Sequence, residues 1–153
     1  MSSTGALPGW LKPANRVVKA LHRLGLPTGT IHILTVPGRV SGEPRSTPVS
    51  PLTVDGRRYV IAGLKDSAWA KNARAAGRGR LSRGRTHEDI ALIEVGDPAT
   101  RKAVMTAFPA QVPHGVQFFL RIGVVDSAEP AAFGAAADKV AVFEIRPVAA
   151  PSR

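Results

Sequence analysis

Short apolar runs, separated by Gly, Pro and Asp turns, dominate the middle of the chain. Residues 31–36 are rich in β-branched side chains and predict a buried strand, and residues 47–54 predict a second one. Asp55 and Gly56 separate this run from residues 58–62 and predict a two-residue hairpin, because a type I′ turn needs positive φ at both central positions. The pattern therefore predicts strands joined by hairpins.

Helices are predicted where apolar residues recur at helical spacing between cap residues. Four segments fit: residues 13–24, 68–76, 98–108 and 130–137. Asp66 or Ser67 can cap the second helix, and Gly77 ends it. Asp97 caps the third. Residues 117–125 fit either a short helix or a strand.

The remaining strands carry distinctive side chains. Residues 78–85 predict a strand with its arginines outward, and residues 87–89 predict a tight turn or bulge before a strand over 90–95. Residues 140–145 predict a last strand with alternate residues on one side, namely Ala141, Phe143 and Ile145. Strands in hairpins with a few helices predict a mainly β or α+β fold, and a closed or half-closed antiparallel barrel with flanking helices removes exposed edges.

At 153 residues, the chain fits one domain. We expect a flexible N-terminal segment over residues 1–12, a single domain over 13–146 and a disordered tail over 147–153. Residues 1–9 lack the pattern of a signal peptide, and no apolar run is long enough to span a bilayer. These features favour a cytoplasmic protein.

The charge balance predicts an anionic partner. Lys and Arg number 21 against 11 Asp and Glu, which gives a net charge of +10. Nucleic acid, anionic lipid, or a phosphorylated or polycarboxylate small molecule would each fit. The chain has no cysteine, which excludes disulfides, thiolate nucleophiles and cysteine metal sites.

The segment over residues 36–48 is the clearest candidate for anion binding. Gly38 and Gly42 permit backbone torsions that other residues resist, so successive N–H groups can point at one ligand while Arg39 and Arg45 supply charge. It lacks the Gly-Lys-Ser/Thr ending of a Walker loop and lies between two strands, unlike a Rossmann turn. The sequence predicts another kind of phosphate site.

The helix over 68–76 can complete this site. The first turn of this helix presents free N–H groups. The helix and the arginine-bearing turn are joined along the chain through one predicted hairpin, at 55–56. If the helix N-terminus faces the turn, the two form one anion site, to which Lys65, Lys71 and Arg74 would add charge.

Other functional classes are less favoured. Nucleic-acid binding by the basic run at 78–85 would need stacking aromatics, and the sequence has none between Trp69 and Phe108. A metal cluster at residues 87–89 is disfavoured because neighbours on a strand point to opposite faces. The basic face of the helix at 13–24 is either a peripheral membrane contact or a solvated surface.

Four blocks of this sequence resemble the deazaflavin-dependent nitroreductase family of actinobacteria. They are residues 38–49, 55–60, 69–77 with its Trp-Ala-Lys-Asn-Ala-Arg run, and 81–85. Their order and spacing match the family over roughly residues 17–145. The resemblance implies the FMN-binding split β-barrel fold, mainly β with flanking helices, and an F420-dependent oxidoreductase.

The resemblance also implies coenzyme F420, an 8-hydroxy-5-deazaflavin whose tail carries a phosphate and several glutamates. Family members grip this cofactor with the glycine–arginine turn and the helix that follows the hairpin. Carried over to this chain, the cofactor-binding residues are Arg39, Val40, Ser41, Gly42, Arg45, Ser46, Thr47, Pro48, Val49, Lys65, Asp66, Ser67, Ala68, Trp69, Lys71, Asn72 and Arg74.

The resemblance implies hydride transfer from the reduced deazaflavin to a small electron-poor acceptor, such as a quinone, an enone or a nitro compound. Such a reaction needs no protein nucleophile, and the sequence shows no recognisable Ser–His–Asp spacing. Phe118, Phe119 and Trp10 are candidates to cover a bound ring. Two alternatives stay open: an FMN- or haem-binding split barrel, and a basic module without catalysis that binds a polyanion or membrane. We expect a monomer or a homodimer and no metal.

Overall fold

The structure, a computed structural model, describes residues 31–148. Within this range seven strands form one antiparallel sheet in the order β2-β1-β5-β6-β7-β4-β3. The strands are β1 (His32–Pro37), β2 (Pro44–Val49), β3 (Leu52–Val54), β4 (Arg57–Ala62), β5 (Arg78–Arg83), β6 (Thr86–Glu94) and β7 (Ala141–Pro147). The predicted N-terminal segment, the helix over 13–24 and residues 149–153 lie outside the described residues.

Among the described residues, four α-helices connect and cover the strands: α1 (Ala68–Ala76), α2 (Pro98–Gln111), α3 (Val116–Arg121) and α4 (Pro130–Ala135). Two 3-10 turns, Pro113–Gly115 and Ala137–Lys139, follow α2 and α4. Ser67 and Gly77 bound α1 as the sequence predicts: the Ser67 hydroxyl caps its start, and Gly77 ends it with φ of 67°. The ambiguous segment over 117–125 is helical up to Arg121.

The sheet curls into a half-barrel with a separate apolar core on each face. Strand β7 shows the division, because Ala141, Phe143 and Ile145 belong to the inner core while Val142 belongs to the outer one. Helix α1 packs on the inner face against β1, β5 and β6, and α2 packs with α4 and β3 in the outer layer. The sequence prediction of alternating sides for the last strand is therefore confirmed.

The predicted strand over residues 47–54 is wrong as a single element. The chain leaves β2 at Val49 and starts β3 at Leu52, and these two strands lie at opposite ends of the sheet order. Pro51 lies at the break, where its missing N–H would interrupt a continuous ladder. The hairpin after β3 is confirmed, since Asp55 and Gly56 have φ of 52° and 77°.

Several element boundaries also differ from the sequence prediction. Residues 87–89 belong to β6, because the β5–β6 hairpin turns earlier, at Gly84 with φ of 58°. Helix α2 continues past Phe108 and includes Pro109 near its end. Pro147 is part of β7, where it pairs with Ile90 instead of starting a tail. In each case backbone hydrogen bonding continues past the residue at which the sequence pattern places the end or start of the element.

The arginines of β5 only partly follow the prediction that they face outward into solvent. Arg78 and Arg83 are exposed, whereas Arg80 is half-buried and its Nε donates to Asp89 Oδ1 at 2.9 Å on the neighbouring strand. The register sets this pair, since Arg80 lies directly opposite Asp89.

We expect Phe133→Ala to lower the free energy of unfolding by about 3–5 kcal/mol, because it leaves a cavity in a close-packed aromatic cluster. Phe133 is fully buried and stacks on Phe108 with ring centroids 5.7 Å apart, and it meets Phe119 edge-on at 5.5 Å. Urea unfolding measures the loss. Val40→Ala is the control, since Val40 is 92% exposed and should change stability by less than about 0.5 kcal/mol. Equal effects of the two substitutions would contradict the packing assignment.

Candidate functional site

The basic turn, residues 38–43, closes the β1–β2 hairpin. Gly38 N donates to Glu43 O and Gly42 N donates to Gly38 O, both at 2.8 Å. Gly42 has φ of 77°, a conformation that favours glycine, and a Cβ on Gly38 would lie 3.3 Å from the carbonyl oxygen of Glu43. The turn is therefore compact, and it is shorter than the predicted loop because residues from Pro44 onward pair as β2.

Asn72 fastens the basic turn to helix α1. Its Oδ1 accepts hydrogen bonds from the backbone N of Arg39 at 3.0 Å and from the Arg39 guanidinium at 2.9 Å. Asn72 is only 5% exposed, so these bonds satisfy an oxygen that burial would otherwise penalise. Its side-chain oxygen therefore positions Arg39, while the role of Asn72 as a direct cofactor ligand stays a prediction.

The basic turn and the first turn of α1 enclose a pocket of about 530 Å³. Its lining comprises Gly38, Arg39, Val40, Ser41, Arg45, Ser46, Thr47, Ser67, Ala68, Trp69 and Asn72. Arg39 and Arg45 are the charged members of that lining, and both are cationic. Because a helix N-terminus also favours negative charge, this pocket suits an anionic group. The sequence prediction that turn and helix meet is confirmed.

An apolar pocket of about 440 Å³ adjoins the basic one. Thr47, Ser67 and Trp69 line both pockets, so the two form one cleft. The other residues of the apolar pocket are Ile31, Pro48, Val49, Ser50, Ile61, Gly63, Leu64, Phe108, Val112, His114, Gly115, Phe118 and Phe119. Such a chamber suits a flat, largely apolar molecule.

Gly63 allows the aromatic rings of Phe118 and Phe119 to pack closely against the backbone in one wall of the apolar pocket. A Cβ at this position would lie 2.8 Å from Phe118 Cε2 and 3.2 Å from Phe119 Cε1. Phe118 is 49% exposed, although it meets Phe119 edge-on with ring centroids 5.6 Å apart. An exposed aromatic beside a buried one fits a wall that a ligand could cover.

Several predicted residues lie outside both pockets: Gly42, Lys65, Asp66, Lys71 and Arg74. Lys65 Nζ donates to the carbonyl oxygen of Asp138 at 3.3 Å. Arg74 donates to both carboxylate oxygens of Glu94, at 2.7 and 2.9 Å, and lies 4.0 Å from Asp66. The hydrogen bond from Arg74 holds the pKa of Glu94 below its usual range.

Sequence reasoning missed much of the apolar wall. Ser50, Val112 and His114 line this wall and are not among the residues that the sequence predicts for the site. These residues come from the β2–β3 connection and from the end of α2, which are distant in sequence. No local motif marks them, because only the packing of α2 and α3 against the sheet brings them to the cleft.

No group of three or more His, Asp or Glu side chains within residues 31–148 could hold a metal ion. In the same range, no helix has the length and apolar character needed to cross a membrane.

Residues 14–114 match the F420H(2)-dependent quinone reductase family. The match spans well over half of the chain, and the chain belongs to this family. That assignment confirms the deazaflavin-dependent resemblance, and it makes the protein an F420-dependent reductase with coenzyme F420 as its cofactor. No curated protein sequence matches the chain.

Solved structures with similar folds support the split barrel. An F420-H2 dependent reductase (FDR-A) is 19% identical with a TM-score of 0.51, covering 76% of this chain and 94% of that one. A putative pyridoxamine 5′-phosphate oxidase from Listeria innocua is 12% identical with a TM-score of 0.51, covering 88% and 93%. A chain described as a domain-swapped dimer is 16% identical with a TM-score of 0.53, covering 88% and 100%. At these identities the likeness establishes the fold.

The cleft fits F420 in its chemistry. The tail of this cofactor is anionic, and the basic pocket offers Arg39, Arg45 and a helix N-terminus. The deazaflavin is planar, and the adjoining pocket is bounded by Trp69, Val49 and aromatic side chains. The order of the two pockets therefore matches a molecule with a charged tail and a flat ring.

We expect Asn72→Ala to lower the free energy of unfolding by about 1–3 kcal/mol and to increase amide exchange in the basic turn, because Arg39 N loses its acceptor. Hydrogen–deuterium exchange of residues 38–43 and urea unfolding measure the two effects. Lys71→Ala is the control, since this exposed neighbour lies outside both pockets. Unchanged amide exchange in Asn72→Ala would show that the hydrogen bonds between Arg39 and Asn72 are not needed to hold the basic turn.

We expect Glu94→Gln to destabilise the protein at pH 7, with a difference from wild type that shrinks on acidification. The Arg74 hydrogen bond lowers the pKa of Glu94 in the folded state, so its contribution is present above the unfolded-state pKa and is lost as pH falls through the lowered value. Urea unfolding at pH 7 and at stepwise lower pH checks this. A difference independent of pH would rule out the Arg74–Glu94 pair as its source.

Proposed function

We propose that this protein transfers a hydride from reduced F420 to a quinone. The observation that carries this proposal is the single cleft in which a cationic pocket opens, through Thr47, Ser67 and Trp69, into an apolar one. The cationic pocket suits the cofactor tail, and the apolar pocket suits a flat ring with a flat acceptor beside it. A reductase needs these two partners held in contact.

Arg39, Arg45 and the N–H groups at the start of α1 would hold the anionic tail. Arg39 is preorganised for this role, because Asn72 fixes its backbone and its guanidinium before any ligand arrives. Ser46, on β2, is held in place by a 2.8 Å hydrogen bond between its Oγ and Thr35 Oγ1 on the neighbouring strand β1. A site fixed in this way loses little conformational entropy on binding.

Trp69 and Ser67 would place the ring at the junction of the two pockets. The Trp69 ring lies 5.8 Å from the buried ring of Phe143, so the inner core supports the side chain that lines the cleft. Reduced F420, when bound there, supplies the hydride. The protein's own contribution is to orient the two rings and to exclude water from the transfer.

The apolar wall favours a quinone over a strongly polar acceptor. Phe108, Val112 and Phe119 are buried side chains that border the pocket, and Phe118 extends the wall toward solvent. Tyr59, the only tyrosine in the sequence, is buried in the outer core and does not line the cleft. The hydrogen-bonding groups offered to an acceptor are therefore few.

We expect Arg45→Ala to weaken F420 binding about tenfold or more, because a charge-assisted hydrogen bond contributes roughly 1.5–3 kcal/mol. Arg45 is a better position to substitute than Arg39, because loss of Arg39 would also disturb the basic turn that it anchors. Titration of the cofactor-free protein with F420, followed by tryptophan fluorescence, gives the affinity. Arg83→Ala is the matched control, because Arg83 is an exposed arginine that lies outside the cleft lining.

The same titration with FMN tests the alternative cofactor. Saturable binding of F420 with little response to FMN supports the proposal. Equal weak binding of both, abolished by added salt and equally affected by Arg45→Ala and Arg83→Ala, would mean that the protein only collects anions.

The acceptor is tested by steady-state reduction of 2-methyl-1,4-naphthoquinone, an enone and a nitroaromatic compound with reduced F420. We expect the quinone to have the highest kcat/KM. Preference for the nitroaromatic would overturn the quinone assignment and leave the reductase assignment standing.

A further inference from the structure

We propose that His114, hydrogen-bonded to Ser50, is the proton donor to the acceptor in the apolar pocket. This inference rests on the proposed quinone reduction and assigns to that site a catalytic residue. Both residues line the apolar pocket, and the distance between Ser50 Oγ and His114 Nε2 is 3.2 Å. The pair comes from two separate connections, β2–β3 and α2–α3, that meet at the pocket.

Reduction of a quinone by a hydride also consumes one proton, which an acid near the acceptor can supply. A quinone that accepts one hydride at a carbonyl oxygen or ring carbon carries the new electron pair as an oxyanion, and it becomes a neutral hydroquinone when it takes up one proton. The imidazolium of His114 gives that proton, directly or through the Ser50 hydroxyl, and the neutral imidazole then recovers a proton from solvent. The hydride comes from reduced F420, whose oxidation also releases one proton to solvent; that proton balances the one His114 takes up, so electrons, protons and charge balance.

His114 is suited to this role by type and by position. It is the only titratable side chain among the described residues that line the apolar pocket, and the other polar side chains there are hydroxyls, which are weak acids, and the indole of Trp69. His114 is itself exposed on its outer side, so it can exchange protons with solvent while its Nε2 faces Ser50.

The hydrogen bond between Ser50 and His114 is not needed to hold the end of α2 against the sheet, because Gln111 already does so. Gln111 Oε1 accepts from the backbone N of Thr53 at 2.9 Å, and Gln111 Nε2 donates to the carbonyl oxygen of Thr53 at 2.6 Å. These two bonds tie the end of α2 to β3 without His114. Substitution of His114 should therefore leave the connection in place.

The test compares His114→Gln with wild type in the reduction of 2-methyl-1,4-naphthoquinone. General acid catalysis contributes roughly 10²–10⁴-fold, and water can partly substitute at an exposed site, so we expect kcat to fall at least about tenfold with KM changed by less than about twofold. Ser50→Ala should lower kcat less. Imidazole added to His114→Ala should restore part of the lost rate.

A second readout avoids turnover. Calorimetric titration of the cofactor-free protein with the same quinone should give equal affinities for wild type and His114→Gln, and a weaker one for Phe118→Ala. The matched control is His87→Gln, because His87 Nδ1 and Ser82 Oγ form another Ser–His pair, 2.8 Å apart, whose members line neither pocket of the cleft. Its kcat should equal that of wild type.

Each other outcome overturns the inference in a recognisable way. Wild-type kcat in His114→Gln would show that the proton comes from elsewhere. A parallel loss of quinone affinity and rate, without rescue by imidazole, would make His114 a packing residue. Failure of the wild-type protein to reduce any quinone, although it binds F420, would instead reject the proposed function on which the inference rests.

Discussion

Burial of helix α1 on the inner face of the curled sheet is the constraint on which the rest of the site depends. Ala70 and Ala73 are fully buried, and their small side chains allow the helix axis to lie close to β1, β5 and β6. Once the helix is seated there, its N-terminus points into the cleft and Asn72 reaches the basic turn. The same burial that stabilises the fold therefore places the two halves of the anion site together.

The cleft joins two kinds of physical chemistry in one continuous space. At one end, cationic side chains and backbone N–H groups suit negative charge, and Arg39 is held in place by its hydrogen bonds to Asn72. At the other end, side chains of the outer helical layer supply apolar area with few polar groups. Trp69, supported by the inner core through Phe143, lies where the two meet. This division fits the proposal of a reductase that holds its redox group by the tail and leaves the ring free to react.

Part of the positive charge in the described residues is paired within the protein. Several arginines are paired with acidic partners: Arg58 with Glu88 at 2.8 Å, Arg74 with Glu94 and Arg80 with Asp89. Arg45 is different, because its nearest carboxylate oxygen, on Glu43, is 4.0 Å away and both side chains are largely exposed. A loosely held guanidinium at the edge of a pocket retains most of its capacity for a ligand.

The sequence by itself determined those features that depend on neighbours in the chain. The Asp55-Gly56 turn, the Ser67 and Gly77 boundaries of α1 and the alternating sides of β7 follow from local torsion and periodicity, and the order of four motifs identified the cofactor family. Only the tertiary structure decided that residues 47–54 divide between opposite ends of the sheet order, that Asn72 binds Arg39, and that His114 meets Ser50. Those outcomes depend on which distant segments share a core, and the pattern of a single segment does not encode its partner across the fold.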